Sequence, residues 1–171
     1  FILRNFMNNS REKLVLKDID EDARLKKSLG MFSTGIAVVT TTDQNNKPLG
    51  MTVNSFASVS LNPALVLWSI EKKQPSFNIF LNSNGYAVNI LTKNQNDLCS
   101  LFSSPIEDKF RNVKWDLSEN GHPIIRDTLA WFDCVKWNYY DGGDHQILVG
   151  EVKSHSHVEK EPLLYWNSKI S

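Results

Sequence analysis

Leu129, Trp131, Val135, Trp137 and Tyr139 set apolar side chains on alternate positions of a run from Leu129 to Tyr140, and a period of two is the mark of a half-buried strand. After Asp141-Gly142-Gly143-Asp144, a tetrapeptide of turn formers, a second run extends from Gln146 to Lys153. Two such runs around so short a connection predict one long antiparallel hairpin.

Further strands are written elsewhere. Ile36 to Thr42 is β-branched and suits a pleated strand. Asp43 to Pro48 reads as a hairpin turn, and Asn62-Pro63 punctuates the chain before Ala64 to Ile70. That apolar run is expected to be buried on both faces. Tyr86 to Leu91 and Leu163 to Trp166 complete the set.

Helices are few. One is capped by Asp18 or Asp20, shows a one-sided stripe of Leu25, Leu29 and Phe32, and is stopped by Gly35. Ser76 is expected to cap a short helix carrying Phe77, Phe80 and Leu81, ended by Asn84-Gly85, and a third helix spans residues 94–103 with Leu98, Leu101 and Phe102 as its stripe. Residues 104–127 contain turn signals at Asn120-Gly121 and His122-Pro123 but no clear element. Six or more strands joined mostly by short turns imply a mainly β fold, an antiparallel barrel with a few peripheral helices.

A length of 171 residues suits one domain. We assign residues 1–17 to an N-terminal extension and 18–171 to the domain. Lysine plus arginine and aspartate plus glutamate both number 19, so no net field recruits nucleic acid or an anionic membrane. No apolar run approaches the roughly 20 residues of a membrane span, and the N-terminus lacks the pattern of a signal peptide. Cys99 and Cys134 lie 35 positions apart without a CxxC or a histidine at ligand spacing, so free thiols, a cytoplasmic location and no metal are expected.

The chain has no GxGxxG after a strand, no GxxxxGK[ST], no HExxH and no GxSxG. What stands out is a cluster of small hydroxyl and amide residues, Thr52, Asn54, Ser55, Ser58 and Ser60, between two strong strands. The solvent face of an alternating strand explains only part of it. Asn54 and Ser55 are adjacent, so one must point inward and find a partner.

These residues carry a resemblance. Leu29 to Thr40 is similar to the opening LGxFxTGVxVVT of the flavin reductase-like proteins, and Gly50 to Pro63 resembles their GMTxNSFxSVSxxP. Tyr86 to Leu91, Asp108-Lys109-Phe110, Leu129-Ala130-Trp131, Gly143-Asp144-His145, Val149 to Val152 and Pro162 to Tyr165 follow in the same order. The resemblance implies an FMN-binding split β-barrel, usually homodimeric with the flavin near the subunit interface. It also implies hydride transfer from NADH or NADPH to FMN or FAD, with reduced flavin released to a partner monooxygenase.

By the same resemblance, Thr34, Met51, Thr52, Val53, Asn54, Ser55, Ala57, Ser58, Val59, Ser60 and Phe110 bind the cofactor, and His145 acts at the catalytic centre on the nicotinamide side. Small residues let main-chain groups reach the polar edge of an isoalloxazine ring, and hydride transfer needs no general acid or base, only stacked rings. Lys73 and Ser76, at the start of a helix, are the expected phosphate ligands. Family members often carry two small hydroxyl residues where this chain has Pro75-Ser76. His122, His155 and His157 have ordinary structural readings, and the five tryptophans are expected in the core or at a dimer interface. Two rival readings stay open: a protein that retains FMN and passes electrons to another protein, and a non-catalytic module holding a flavin or haem.

Overall fold

The computed structural model describes residues 21–171. The extension and the helix caps expected at Asp18 or Asp20 lie outside them. In chain order the elements are α1 (Glu21–Leu29), β1 (Thr34–Gly35), β2 (Ala37–Thr42), β3 (Pro48–Val53), β4 (Ala57–Leu61), β5 (Ala64–Glu71), α2 (Phe77–Asn82) and β6 (Gly85–Ile90). There follow α3 (Asn96–Ser103), β7 (Trp115–Leu117), β8 (Pro123–Ile125), β9 (Ala130–Gly142), β10 (His145–His157), β11 (Leu164–Trp166) and β12 (Lys169–Ile170).

Seven strands form one antiparallel sheet in the order β3-β2-β6-β9-β10-β5-β4. Its outer strands, β3 and β4, are joined by only Asn54, Ser55 and Phe56. Such a link reaches about 14 Å at full stretch, whereas the outer strands of a flat seven-stranded sheet would stand about 29 Å apart. The sheet therefore curls until its edges face one another. β3 and β4 do not pair, so a seam stays open and the fold is the expected split barrel.

The barrel interior holds Val39, Trp68, Ile70, Phe80, Tyr86, Val88 and Leu148, with Phe56 packed against them and its ring 5.5 Å from that of Phe132. A second core on the outer face of β2 gathers Ile36, Val38, Leu91, Cys99, Phe102, Phe110 and Ile125 beneath α3. β2 and β6 are thus covered on both sides. Gly50 permits this: a Cβ there would stand 2.9 Å from the Phe102 ring. Asn89 ties the layers, its amide donating to the Val38 carbonyl at 3.1 Å and its Oδ1 accepting from the Ile125 N–H at 2.8 Å.

Several local expectations are corrected. α1 ends at Leu29, before Phe32, and buries none of its residues: Leu25, Leu29 and Phe32 are 57, 65 and 76% exposed. Gly35 lies in β1 and does not stop the helix. β5 alternates, with Val66, Trp68 and Ile70 inside and Leu65, Leu67 and Ser69 half-buried, because one face alone packs into the barrel core. Residues 104–127 contain the small hairpin of β7 and β8. The long hairpin turns on Gly143 and Asp144 alone, with Gly143 at φ 78°. Trp137 has no residue opposite it, so this bulge breaks the alternation and leaves Trp137 half exposed.

Candidate functional site

Two edges and one hairpin tip bring the predicted residues together. Thr52 ends up half-buried near the end of β3, with its hydroxyl donating to the Cys99 carbonyl at 2.8 Å. Val53 is buried. The chain then leaves the sheet, exposing Asn54. Ser55 is the inward member of the pair, as the adjacency of the two polar residues required: its hydroxyl accepts from the Ser69 N–H at 3.0 Å and donates to the Ser69 carbonyl at 3.3 Å.

Beyond the tip, Ala57, Ser58 and Val59 are exposed on β4, Val59 being the extra residue of a bulge opposite β5. Ser60 is half-buried and its hydroxyl accepts from the Asn62 N–H at 3.2 Å. Among the described residues β4 pairs only with β5, so the main-chain groups along its other edge have no strand partner there.

The start of α2 reaches β3 through Ser76, whose hydroxyl lies 3.9 Å from the Met51 sulfur. Ser76 stands at the cap position but makes no capping hydrogen bond, its backbone being already helical at φ −82°, ψ −3°. Lys73 is exposed in the loop before it. His145 opens β10 opposite Gly142 of β9 and Glu71 of β5. Its Nδ1 lies 2.7 Å from Asp144 Oδ1, and this hydrogen bond, with the imidazole beside it, holds the Asp144 carboxyl below its usual range.

Two predicted residues lie apart from this group. Thr34 belongs to the small sheet of β1, β11 and β12, where its sealed hydroxyl has no hydrogen-bond partner among the described residues. Phe110 is buried edge-on between Phe102 at 5.1 Å and Trp115 at 5.6 Å, so in this chain it fills the second core and presents no open face.

Three features escaped the sequence reading. Phe56 fills the barrel beside Phe132. Asp144 partners His145. His122 and Asp133 form a buried pair, Nδ1 to Oδ1 at 2.7 Å, joined by the Asn120 amide at 2.7 Å from Asp133 Oδ2. Burial by itself would raise the Asp133 carboxyl, but hydrogen bonds from His122, Asn120 and Ser118 outweigh it and hold the group low. The Gly121-His122-Pro123 turn offered no periodic signal for this pair. An open cavity of about 610 Å³ lies alongside, lined by Thr41, Asn78, Asn82, Asn120 and His122 among others, and contains none of the predicted site residues.

The description "flavin reductase like domain" matches residues 29–171, most of the chain. The chain belongs to this family. This flavin reductase-like chain is 42% identical over 136 residues to the reductase component of a flavin-dependent trigonelline monooxygenase from Acinetobacter baylyi, covering 80% of this chain and 44% of that protein. It is 41% identical over 140 residues to the FMN reductase (NADH) SmoA of Agrobacterium fabrum, covering 82% of this chain and 79% of SmoA. The chain thus spans less than half the length of the first of these relatives and most of the second. Among solved structures, the NADH:FAD oxidoreductase SgcE6 of Streptomyces globisporus, in complex with NAD and FAD fragments, superposes with a TM-score of 0.84 at 33% identity, covering 91% of this chain and 95% of that one.

The donor set in this flavin reductase-like chain fits a flavin. Asn54, Ser55, Ala57 and Ser58 are small or amide-bearing, Phe56 between them packs into the barrel, and among the described residues the free edge of β4 presents unpaired main-chain N–H and C=O groups, the pattern that a pyrimidine edge would meet.

Proposed function

We propose that this chain reduces FMN or FAD with NADH or NADPH and supplies the reduced flavin to a partner monooxygenase. The observation that carries the reading is the open edge of β4 beside Asn54 and Ser58, at the seam where the barrel is split. The activities of SmoA, an FMN reductase (NADH), and SgcE6, an NADH:FAD oxidoreductase, support it. A bound flavin would supply the redox chemistry, as the acceptor of a hydride from the nicotinamide. The chain's own part is to bind and orient: Asn54, Ser58 and the β4 edge hold the ring, with Met51, Thr52, Val53, Ala57, Val59 and Ser60 shaping the cradle. Lys73 and Ser76 take the phosphate, and His145 faces the nicotinamide.

A second copy of the chain completes the site. Leu61 is 95% exposed and Val59 49%, both on edge strand β4, and a homodimer would cover them. In light-scattering measurements Leu61→Glu should shift the protein from dimer to monomer; a wild-type monomer at micromolar concentration would overturn this part. Cys99 and Cys134 are unpaired and buried, which fits the reducing cytoplasm.

The experiment is anaerobic oxidation of NADH and NADPH with FMN, FAD and riboflavin in turn. Flavin-dependent oxidation, with bleaching of the flavin band near about 450 nm, is the expected result. Bound flavin that the pyridine nucleotides leave unbleached would overturn the reading in favour of a non-catalytic module. Tightly retained FMN, with no dependence of NADH oxidation on added flavin, would favour the electron-transfer protein.

A further inference from the structure

β6 leaves β9 after the Gly85 to Val135 pair and one further bond, from the Lys136 N–H to the Asn84 carbonyl at 2.8 Å, so among the described residues positions 137–142 of β9 have β10 as their sole ladder partner. β5 supports β10 up to its first residue, at the Glu71 to His145 pair. The tip of the long hairpin, the Gly143-Asp144 turn with the end of β9 that leads into it, therefore lies at the last β5 pair on one side and has an open edge on the other, and strand ends ordinarily open most readily. Lys72, the residue after that last pair, grips it three times. Its N–H donates to the Asp144 carbonyl at 2.9 Å, its Nζ donates to the Gly143 carbonyl at 2.6 Å, and the same Nζ pairs with the Asp141 carboxylate.

Two contacts fall on the turn residues Gly143 and Asp144 and the third on Asp141, in the end of β9 that leads into the turn. Asp144 in turn holds the His145 imidazole. A β-hairpin loop of two residues, one of them glycine at positive φ, has little of its own to fix its tilt. An exposed ion pair contributes little to global stability, so what the Lys72 contacts supply is orientation. Lys73 makes none of these bonds. The two adjacent lysines are therefore assigned different tasks.

We propose that Lys72 is a positioning residue for NAD(P)H: by clamping Asp141, Gly143 and Asp144 it sets the Asp144–His145 pair at the height and angle required on the nicotinamide side. The inference rests on the reading of His145 given above.

Lys72→Met, Lys72→Arg, Asp141→Asn and His145→Ala separate the possibilities. The readouts are KM for NADH, flavin affinity by fluorescence titration, melting temperature, and hydrogen exchange of the 141–145 peptide by mass spectrometry. Lys72→Met and Asp141→Asn should each raise KM for NADH by about fivefold or more, speed exchange at the tip, and leave flavin affinity and melting temperature near wild type. Lys72→Arg keeps the cation and should restore most of the lost affinity for NADH. Equal loss of flavin and NADH affinity in Lys72→Met would make Lys72 a flavin ligand and overturn the proposal. So would an unchanged KM in Lys72→Met alongside a raised KM in His145→Ala. If His145→Ala leaves KM unchanged, the nicotinamide-side reading itself fails and the clamp falls with it.

Discussion

The Ser55 hydroxyl bonds both main-chain groups of Ser69, accepting from its N–H at 3.0 Å and donating to its carbonyl at 3.3 Å. β4 pairs with β5 at Ala57 and Leu67, and continuing that ladder by two residues would set Ser55 opposite Ser69. At that point the chain turns toward β3, and a side chain takes over the hydrogen bonds that a strand would have made. Ser55 thus closes one end of the seam.

Ser55→Ala should lower stability by about 1–2 kcal/mol, because two half-buried backbone groups lose their partner. Ser58→Ala removes an exposed hydroxyl and should leave the melting temperature unchanged while weakening flavin binding severalfold. Thermal melts and flavin titration of the two variants distinguish structural from binding roles; a cost to stability in Ser58→Ala and none in Ser55→Ala would reverse the assignment.

His145→Ala should raise KM for the pyridine nucleotide about tenfold with a smaller change in flavin affinity. Asp144→Ala, which removes the 2.7 Å contact to the ring, should reproduce part of that rise. Steady-state kinetics with saturating flavin provide the measurement, and parallel loss of flavin and nucleotide affinity would point to a structural role for the pair.

Lys73→Ala combined with Ser76→Ala should reduce FMN affinity at least about tenfold, the order expected from losing charged phosphate contacts. Riboflavin, which has no phosphate, serves as the control. Equal losses for FMN and riboflavin would remove both residues from the phosphate site.

Asp133 titrates below its unfolded value near about 4, so its carboxylate stabilises the fold above that value and the contribution disappears as pH falls through the folded value. Asp133→Asn should cost about 2–3 kcal/mol at neutral pH, since the partner His122 is left buried beside a neutral amide. In denaturant titrations the gap between wild type and variant should narrow as pH falls below about 4. A gap that is constant with pH would mean that packing, and not the charge, carries the effect.

Strand identity was readable in the chain because periodicity is local: β2, β5, β6 and the β9–β10 hairpin all lie within a few residues of their expected positions. That one of Asn54 and Ser55 turns inward was also legible, since two adjacent polar residues cannot share one face; that it is Ser55 came from its bonds to Ser69. The packing of Phe110 was not legible: its place in a recognisable string says nothing of the rings of Phe102 and Trp115 that flank it in the second core.

What local pattern by itself determined here is that the chain makes an antiparallel, mainly β fold, and that Gly50 to Ser60 gathers small hydroxyl and amide residues between two strands. Only the tertiary structure decided that this short stretch joins the two opposite edges of a seven-stranded sheet, and so lies on the seam of a split barrel. It alone joined Lys72 to Asp141 across 69 positions and His122 to Asp133 in the interior. The reason is physical: hydrophobic period and turn chemistry act over a few residues, whereas edge pairing, bulges and buried hydrogen-bonded pairs depend on what the curled sheet brings alongside.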